Sequence, residues 1–266
     1  MSDTIPVLFD TDIGSDIDDA VALAYLLRQP RCELLGITTV TGDVAQRAAC
    51  AEVICRAAGK ADIPIHCGIG DVLAFGPGQP HVPQYEGIRH LPHRTDWRKN
   101  TAVDFLRKTI RSRPGEITLL TVGPFANVAV LFALDPELPG MLKQWVSMSG
   151  WFFAAENRHE WNCVADPVST AMAYRAAGSR ATAGAFHASV GLDVTLQCKM
   201  PANEVRRRFI GEPLATVLKM AEVWFGKQGG EICFHDPLAA TLLFNPGICQ
   251  YQTGRVAVTV DSAARV

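Results

Sequence analysis

Short apolar runs alternate along the chain with segments whose apolar residues recur at helical spacing. Residues 5–9 form a continuous apolar run and read as a buried strand. Residues 16–28 carry a helical stripe through Val21, Leu23, Ala24 and Leu27 that ends before Pro30. Residues 34–40, rich in β-branched side chains, predict a second strand. A helix over 44–58 closed by Gly59 and a short strand over 63–66 follow. The alternation continues with helices over 101–113, 128–134 and 167–177 and strands over 117–122 and 145–148. Fully apolar strands set between helices imply parallel pairing with both sheet faces covered. The expected fold is α/β, a doubly wound, mostly parallel open sheet with helices on both faces. Residues 70–98 break the rhythm with four prolines, several glycines and His81, His90 and His93. A loop of that length is expected to be functional or mobile.

The chain has 266 residues, which suits one α/β domain over residues 1–266 better than two. A net charge of −2 and the absence of a basic run interleaved with aromatics argue against a nucleic-acid partner. No uncharged apolar run is long enough to cross a bilayer, and the N-terminus lacks the pattern of a signal peptide, so no membrane association and a cytoplasmic location are expected. The eight cysteines form no C-x-x-C pair, which fits small buried thiols in a reducing compartment and gives a zinc site no support.

Candidate chemistry begins at Asp10-Thr11-Asp12-Ile13-Gly14-Ser15-Asp16-Ile17-Asp18-Asp19, five carboxylates within ten residues just past a buried strand. Such crowding is costly unless a cation sits among the acids, and several oxygens converging from one loop suit calcium or magnesium. Alone, the run also reads as a solvated acidic loop with a helix cap. EF-hand spacing is absent, because the sixth and twelfth positions counted from Asp10 are Ser15 and Val21. A second motif, His235-Asp236-Pro237, reads as a helix start capped by Asp236, or as a metal ligand beside a histidine able to titrate near neutrality. A third, Glu160-Trp161-Asn162 ahead of Asp166-Pro167, puts Glu160 and Asn162 on one side of a strand-like stretch with Trp161 on the other. A fourth, Thr121-Val122-Gly123-Pro124 through Asn127, ends a buried strand and frees a carbonyl there. All four lie at or just past a predicted strand end, where open parallel sheets bind ligands.

Taken in order with Leu35-Gly36-Ile37-Thr38-Thr39-Val40 and Ser147-Met148-Ser149-Gly150, these motifs make residues 5 to about 260 resemble the inosine–uridine-preferring nucleoside hydrolase family. The resemblance implies a calcium-dependent hydrolase of the N-glycosidic bond of ribonucleosides, acting in purine and pyrimidine salvage on a small-molecule nucleoside. It implies that Asp12, Asp19, the Val122 carbonyl and Asp236 hold calcium, with Asp10 and Asp16 as further candidates. Asp12 would also be the general base for a water, Asp18 would bond the ribose 2′-hydroxyl, and Glu160, Asn162, Trp161, Met148 and Asp43 would line the substrate. His235 would stand on the base side as the acid for the leaving group, cationic near neutrality beside its carboxylates. A homodimer or homotetramer is expected on general grounds.

Several positions depart from the family pattern. Asp43 stands where the family commonly has Asn, the family's Asn upstream of Glu160 falls near Ala154, and Tyr85-Glu86-Gly87-Ile88 is a poor match to a His-Gly motif near the base. The end at Val266 suggests a shortened C-terminal edge. The base preference is therefore expected to be broad or to differ from the inosine and uridine pattern. Phe75, Tyr85, Trp97, Trp151, Phe152, Phe153 and Trp224 are candidates for an aromatic wall, or simply for packing. Two alternatives remain open: a family member without turnover that binds a sugar or nucleoside-like ligand, and another metal-dependent hydrolase.

Overall fold

A computed structural model describes residues 4–153, 159–179 and 186–260. Its elements run β1 (Ile5–Thr11), α1 (Asp18–Arg28), β2 (Cys32–Thr39), α2 (Val44–Ala57), β3 (Ile65–Cys67), α3 (Tyr85–Ile88), α4 (Ala102–Ser112), β4 (Thr118–Thr121), α5 (Ala126–Leu134) and β5 (Gln144–Met148). There follow α6 (Trp161–Ala165), α7 (Pro167–Ser179), β6 (Phe186–Val190), α8 (Leu192–Thr195), β7 (Lys199–Pro201), α9 (Ala202–Arg208), α10 (Leu214–Gln228), β8 (Glu231–Cys233) and α11 (His235–Leu242).

Six strands form a sheet in the order β3-β2-β1-β4-β5-β6, and every pair in it is parallel. The strands are apolar on both sides because both faces are covered. Val7 and Phe9 of β1 point into one core with Ile37, Leu120 and Val146, which Leu23, Ile54, Met220 and Leu242 of α1, α2, α10 and α11 close. Leu8, Leu119 and Trp145 point the other way, onto Leu106, Val128 and Ala173 of α4, α5 and α7. Each such side chain, buried, contributes about 1.5–3 kcal/mol relative to exposure. β7 and β8 form a separate antiparallel ribbon.

From β1 the chain proceeds outward to β2 and β3, whereas from β4 it proceeds the opposite way to β5 and β6. The carboxyl ends of the neighbours β1 and β4 therefore diverge into different connections and leave a crevice between them.

The helical stripe expected from residue 16 becomes helix only at Asp18, with Ile17 as its cap, which leaves residues 12–17 as a loop. The long segment 70–98 is built rather than bare. Its Tyr85–Ile88 forms α3. Leu73 N–H donates to Asp166 Oδ2 at 3.0 Å, Gln79 N–H to Thr41 Oγ1 at 3.0 Å and Gln84 N–H to Gly14 O at 3.1 Å. Gly42 permits this approach: its φ is +64°, and a Cβ there would lie 2.3 Å from the Gln79 carbonyl oxygen. Residues 251–260 have no regular element.

Candidate active site

Asp12 follows β1, and its carboxylate rests on the main chain that follows β4. A Cβ added to Gly123 would lie 2.9 Å from both Asp12 Oδ1 and Asp12 N. Glycine at 123 is what lets the Asp12 carboxylate enter the crevice. Asp18 and Asp19 occupy the first turn of α1, and Asp236 the first turn of α11. One oxygen from each of these three lies within 4.8 Å of the others, and all three residues are buried. Asp18 Oδ2 accepts the Asp236 N–H at 2.9 Å, and the Thr11 hydroxyl donates to Asp19 Oδ1. Asp12 does not join the trio at that spacing, but its charge raises the pKa of each member.

Asp10, Asp12, Asp18, Asp19 and Asp236 are all buried. Burial is the largest cause pushing each pKa above the ordinary carboxylate range, to about 7 for Asp10 and Asp18. Asp10 has separate partners: its Oδ2 accepts from Thr38 Oγ1 at 2.5 Å and Asn127 Nδ2 at 2.7 Å, while its buried Oδ1 has none. It stands outside the trio. Asn127 also donates to Thr39 O and accepts the Ile69 N–H, which braces three strand ends. Asp16 Oδ1 accepts the Ile17 N–H at 2.6 Å, and its charge favours protonated His235. Asp43 caps α2, accepting from Ala45 and Gln46.

A feature the motif reading missed is Arg47, a guanidinium with no solvent exposure. Its Nε donates to Thr41 O at 2.7 Å and its Nη2 to Gln79 O at 2.6 Å. Its Nη1 donates to Asp12 O, to Ile13 O at 3.1 Å and to Ser15 Oγ at 2.8 Å. The charge of Arg47 lowers the pKa of Asp12 and Asp19 against the effect of burial. Its position was readable: three residues past Val44 and four before Ala51, it lies on the helix stripe that faces the core. Five buried carboxylates against one buried arginine leave negative charge uncompensated, and the donors are all carboxylate oxygens. That set fits a hard divalent cation.

The Glu160-Trp161-Asn162 motif is a helix start, not a strand-like stretch. Glu160 caps α6: Oε1 accepts the Asn162 N–H at 2.6 Å, and Oε2 accepts those of Cys163 at 3.0 Å and Gly150 at 3.2 Å. A carboxylate accepting several backbone N–H groups at a helix N-terminus is a favourable arrangement that competes with extended structure. Asn162 Nδ2 donates to Val122 O at 2.9 Å and Met148 O at 3.2 Å, which ties the ends of β4 and β5 together. The Val122 carbonyl is thus bonded already and keeps one lone pair for another partner. Met148 is buried, with its sulfur 3.6 Å from the Asn162 amide, and Trp161 is about half exposed. Ala154 lies outside the described residues.

The helix of the His235-Asp236-Pro237 motif starts at His235, so Asp236 is inside the first turn rather than its cap. His235 Nδ1 lies 2.7 Å from Thr195 Oγ1. Burial outweighs the Asp16 charge and lowers the histidine pKa, which corrects the expectation of a cation near neutrality. Several proposed wall aromatics are engaged elsewhere. The Tyr85 hydroxyl lies 2.9 Å from His93 Nε2, Trp97 carries the Arg94 guanidinium over its ring, and Trp224 Nε1 donates to Glu231 O. Phe152 lies over Gly150, the residue whose N–H meets Glu160, and is 41% exposed. Two surface clefts of about 380 and 490 Å³ flank His66, and neither is lined by Asp12, Asp18, Asp19 or Asp236.

The model of the inosine-uridine preferring nucleoside hydrolase family matches residues 7–265. Uridine nucleosidase 1 of Arabidopsis thaliana is 28% identical over 271 residues, covering 95% of this chain and 77% of its own length. A plant nucleoside hydrolase structure, PpNRh1, superposes with a TM-score of 0.81 at 24% identity, over 98% of this chain and 85% of that one. The purine-preferring ribonucleoside hydrolase of Gardnerella vaginalis gives 0.78 at 24%, over 98% and 86%. With these matches spanning the sheet, the crevice and both acidic helix starts, the chain belongs to the inosine-uridine preferring nucleoside hydrolase family, enzymes that hydrolyse the N-glycosidic bond of ribonucleosides.

Proposed function

We propose that this chain is a calcium-dependent ribonucleoside hydrolase whose centre is the crevice between β1 and β4. The observation that carries the reading is the meeting of Asp18, Asp19 and Asp236 within 4.8 Å, beside an Asp12 that reaches across to Gly123. Asp12, Asp19, Asp236 and the Val122 carbonyl would hold the cation. Calcium, when bound, supplies positive charge that favours ionised carboxylates and orients a water and the sugar hydroxyls.

The rest of the chemistry belongs to the chain. Asp12 takes a proton from the attacking water as its oxygen bonds to ribose C1′. The C1′–N bond breaks, and its electron pair leaves with the base. The transition state carries oxocarbenium character, which a carboxylate-rich, buried crevice stabilises. Asp18 accepts the 2′-hydroxyl. Glu160 and Asn162 act chiefly as braces, since their polar atoms bind the main chain of β4, β5 and α6. His235 Nδ1 lies 2.7 Å from Thr195 Oγ1; with that hydroxyl as the donor, Nε2 would carry the proton and present a donor to the departing base.

Ribose release from a panel of purine and pyrimidine nucleosides, with and without a chelator, tests this reading. Release that the chelator stops and calcium restores is expected. A second reading, a family member that binds a sugar without turnover, draws on the full engagement of Glu160 by backbone donors. Saturable calcium and ribose binding with no release from any nucleoside would select it. The eight free thiols support a reducing, cytoplasmic setting, and exposed Leu134 and Ile210 offer apolar surface to a second copy in a homodimer or homotetramer.

A further inference from the structure

We infer that Arg47 is a positioning residue that clamps the acidic loop to the long segment 70–98 and so fixes the main chain carrying Asp12. The inference rests on the reading of Asp12 as ligand and base. Arg47 bonds three stretches far apart in sequence: Asp12, Ile13 and Ser15 after β1, Thr41 after β2, and Gln79 in the long segment. Four of its five acceptors are main-chain carbonyls, and no carboxylate among the described residues hydrogen-bonds to it. A buried arginine used only as a counter-ion would bond an acid directly. This one spends its fork on backbone, which a planar guanidinium can do in several directions at once and an ammonium cannot.

The clamp closes on itself. Gln79 N–H returns to Thr41 Oγ1 at 3.0 Å, and the Ser15 hydroxyl donates to His81 O at 3.1 Å. Thr41 is held at φ 60°, a left-handed conformation that a threonine adopts only under restraint, and its carbonyl is what Arg47 Nε takes. Among the described residues no other side-chain cation bonds the Asp12 carbonyl, so loss of Arg47 frees the backbone on which the Asp12 carboxylate depends. Outer-shell partners of this kind are worth about 10–100-fold in metal affinity or activity.

The test uses the full chain with Arg47→Lys, Arg47→Met and Arg47→Ala. In chelator-stripped protein, amides of residues 13–15, 78 and 79 are expected to exchange with deuterium at least about tenfold faster in Arg47→Met than in the parent, a readout independent of any metal. Calcium titration by calorimetry is expected to show affinity reduced about 10–100-fold in both Lys and Met variants, with kcat falling alongside and KM within about threefold. Methylguanidinium added to Arg47→Ala should restore both calcium affinity and kcat. Four results would overturn the inference: parental exchange in Arg47→Met, full function in Arg47→Lys, failure of methylguanidinium to rescue, or chains that do not fold at all, which makes Arg47 purely structural. A parental chain that binds no calcium strikes the metal reading instead, and the exchange result still decides the clamp.

Discussion

Asp18 Oδ2 accepts the backbone N–H of Asp236 at 2.9 Å, a bond that joins the first turns of α1 and α11 across 218 residues of sequence. A carboxylate at that place satisfies one of the free N–H groups of the α11 start, and it brings the third member of the trio into range. Asp18→Ala leaves a buried donor unpaired, a cost of about 1–3 kcal/mol. The expected outcome is a lower midpoint in urea together with weaker calcium binding. A variant with parental stability would show that the bond contributes nothing.

Asp12→Asn keeps the shape beside Gly123 and removes the proton acceptor. A fall in kcat of about 10²–10⁴-fold is expected for a lost general base. The stripped parental enzyme should regain both activity and thermal stability when calcium is added, with about 2.7 kcal/mol gained at one hundred times Kd. Steady-state kinetics and melting curves in parallel check both. Parental kcat in Asp12→Asn assigns the base elsewhere.

The parallel sheet and the acidic crevice were legible because apolar runs and carboxylates past strand ends are local signals. Asp12, Asp19 and Asp236 stand out as acids where acids are costly. Glu160 was misread because a two-residue alternation, Glu-x-Asn, looks the same in a strand and at a helix cap; what decides is the three N–H groups that meet its carboxylate, one of them from distant Gly150. His235 was misread for a related reason. Its neighbour Asp236 is charged, but its ring lies against Thr195 of α8 and Cys233 of β8, short elements that periodicity did not resolve. Arg47 lies on the core-facing stripe of α2 and was passed over because it belongs to no motif.

His235→Ala should slow natural nucleosides far more than a nitrophenyl riboside, whose leaving group needs no proton. Thr195→Val should move the same way, more weakly, by releasing the ring. Equal losses on both substrates would remove His235 from leaving-group assistance and leave it a packing role.

His187 supplies a pH test away from the acids. Its ring stacks on Trp145 with centroids 3.8 Å apart, Nε2 lies 2.9 Å from Ser147 Oγ, and burial lowers its pKa to about 3. Its unfolded value is about 6.5. The unfolded chain therefore binds the extra proton first, so this contribution is complete above pH 6.5 and is lost as pH falls toward 3. The slope from one such proton is at most about 1.4 kcal/mol per pH unit. Melting temperatures of the parent and of His187→Gln between pH 7 and 4 are expected to converge as acid is added. Parallel curves would mean that the ring is already solvated in the native state.

Base preference turns on which aromatic reaches the crevice. Tyr85, Trp97 and Trp224 have partners of their own, whereas Phe152 lies over Gly150, whose N–H meets Glu160. Its ring covers Gly150, and its backbone N–H is pinned by Asp193 Oδ2 at 2.9 Å, as that of Phe153 is by Oδ1. A pinned, partly exposed ring offers a flat apolar face with little ordering cost on binding. Stacking on such a face rewards area, so a two-ring purine gains more than a pyrimidine. Phe152→Ala is therefore expected to raise KM for purine ribosides by about fivefold, in keeping with roughly 1 kcal/mol for one aromatic contact, and to change pyrimidine ribosides less. Phe153→Ala, which removes a more exposed ring on the same turn, serves as the comparison and should leave both nearly unchanged. Equal effects of Phe152→Ala on purine and pyrimidine ribosides would mean that the base is read by polar groups rather than by this ring.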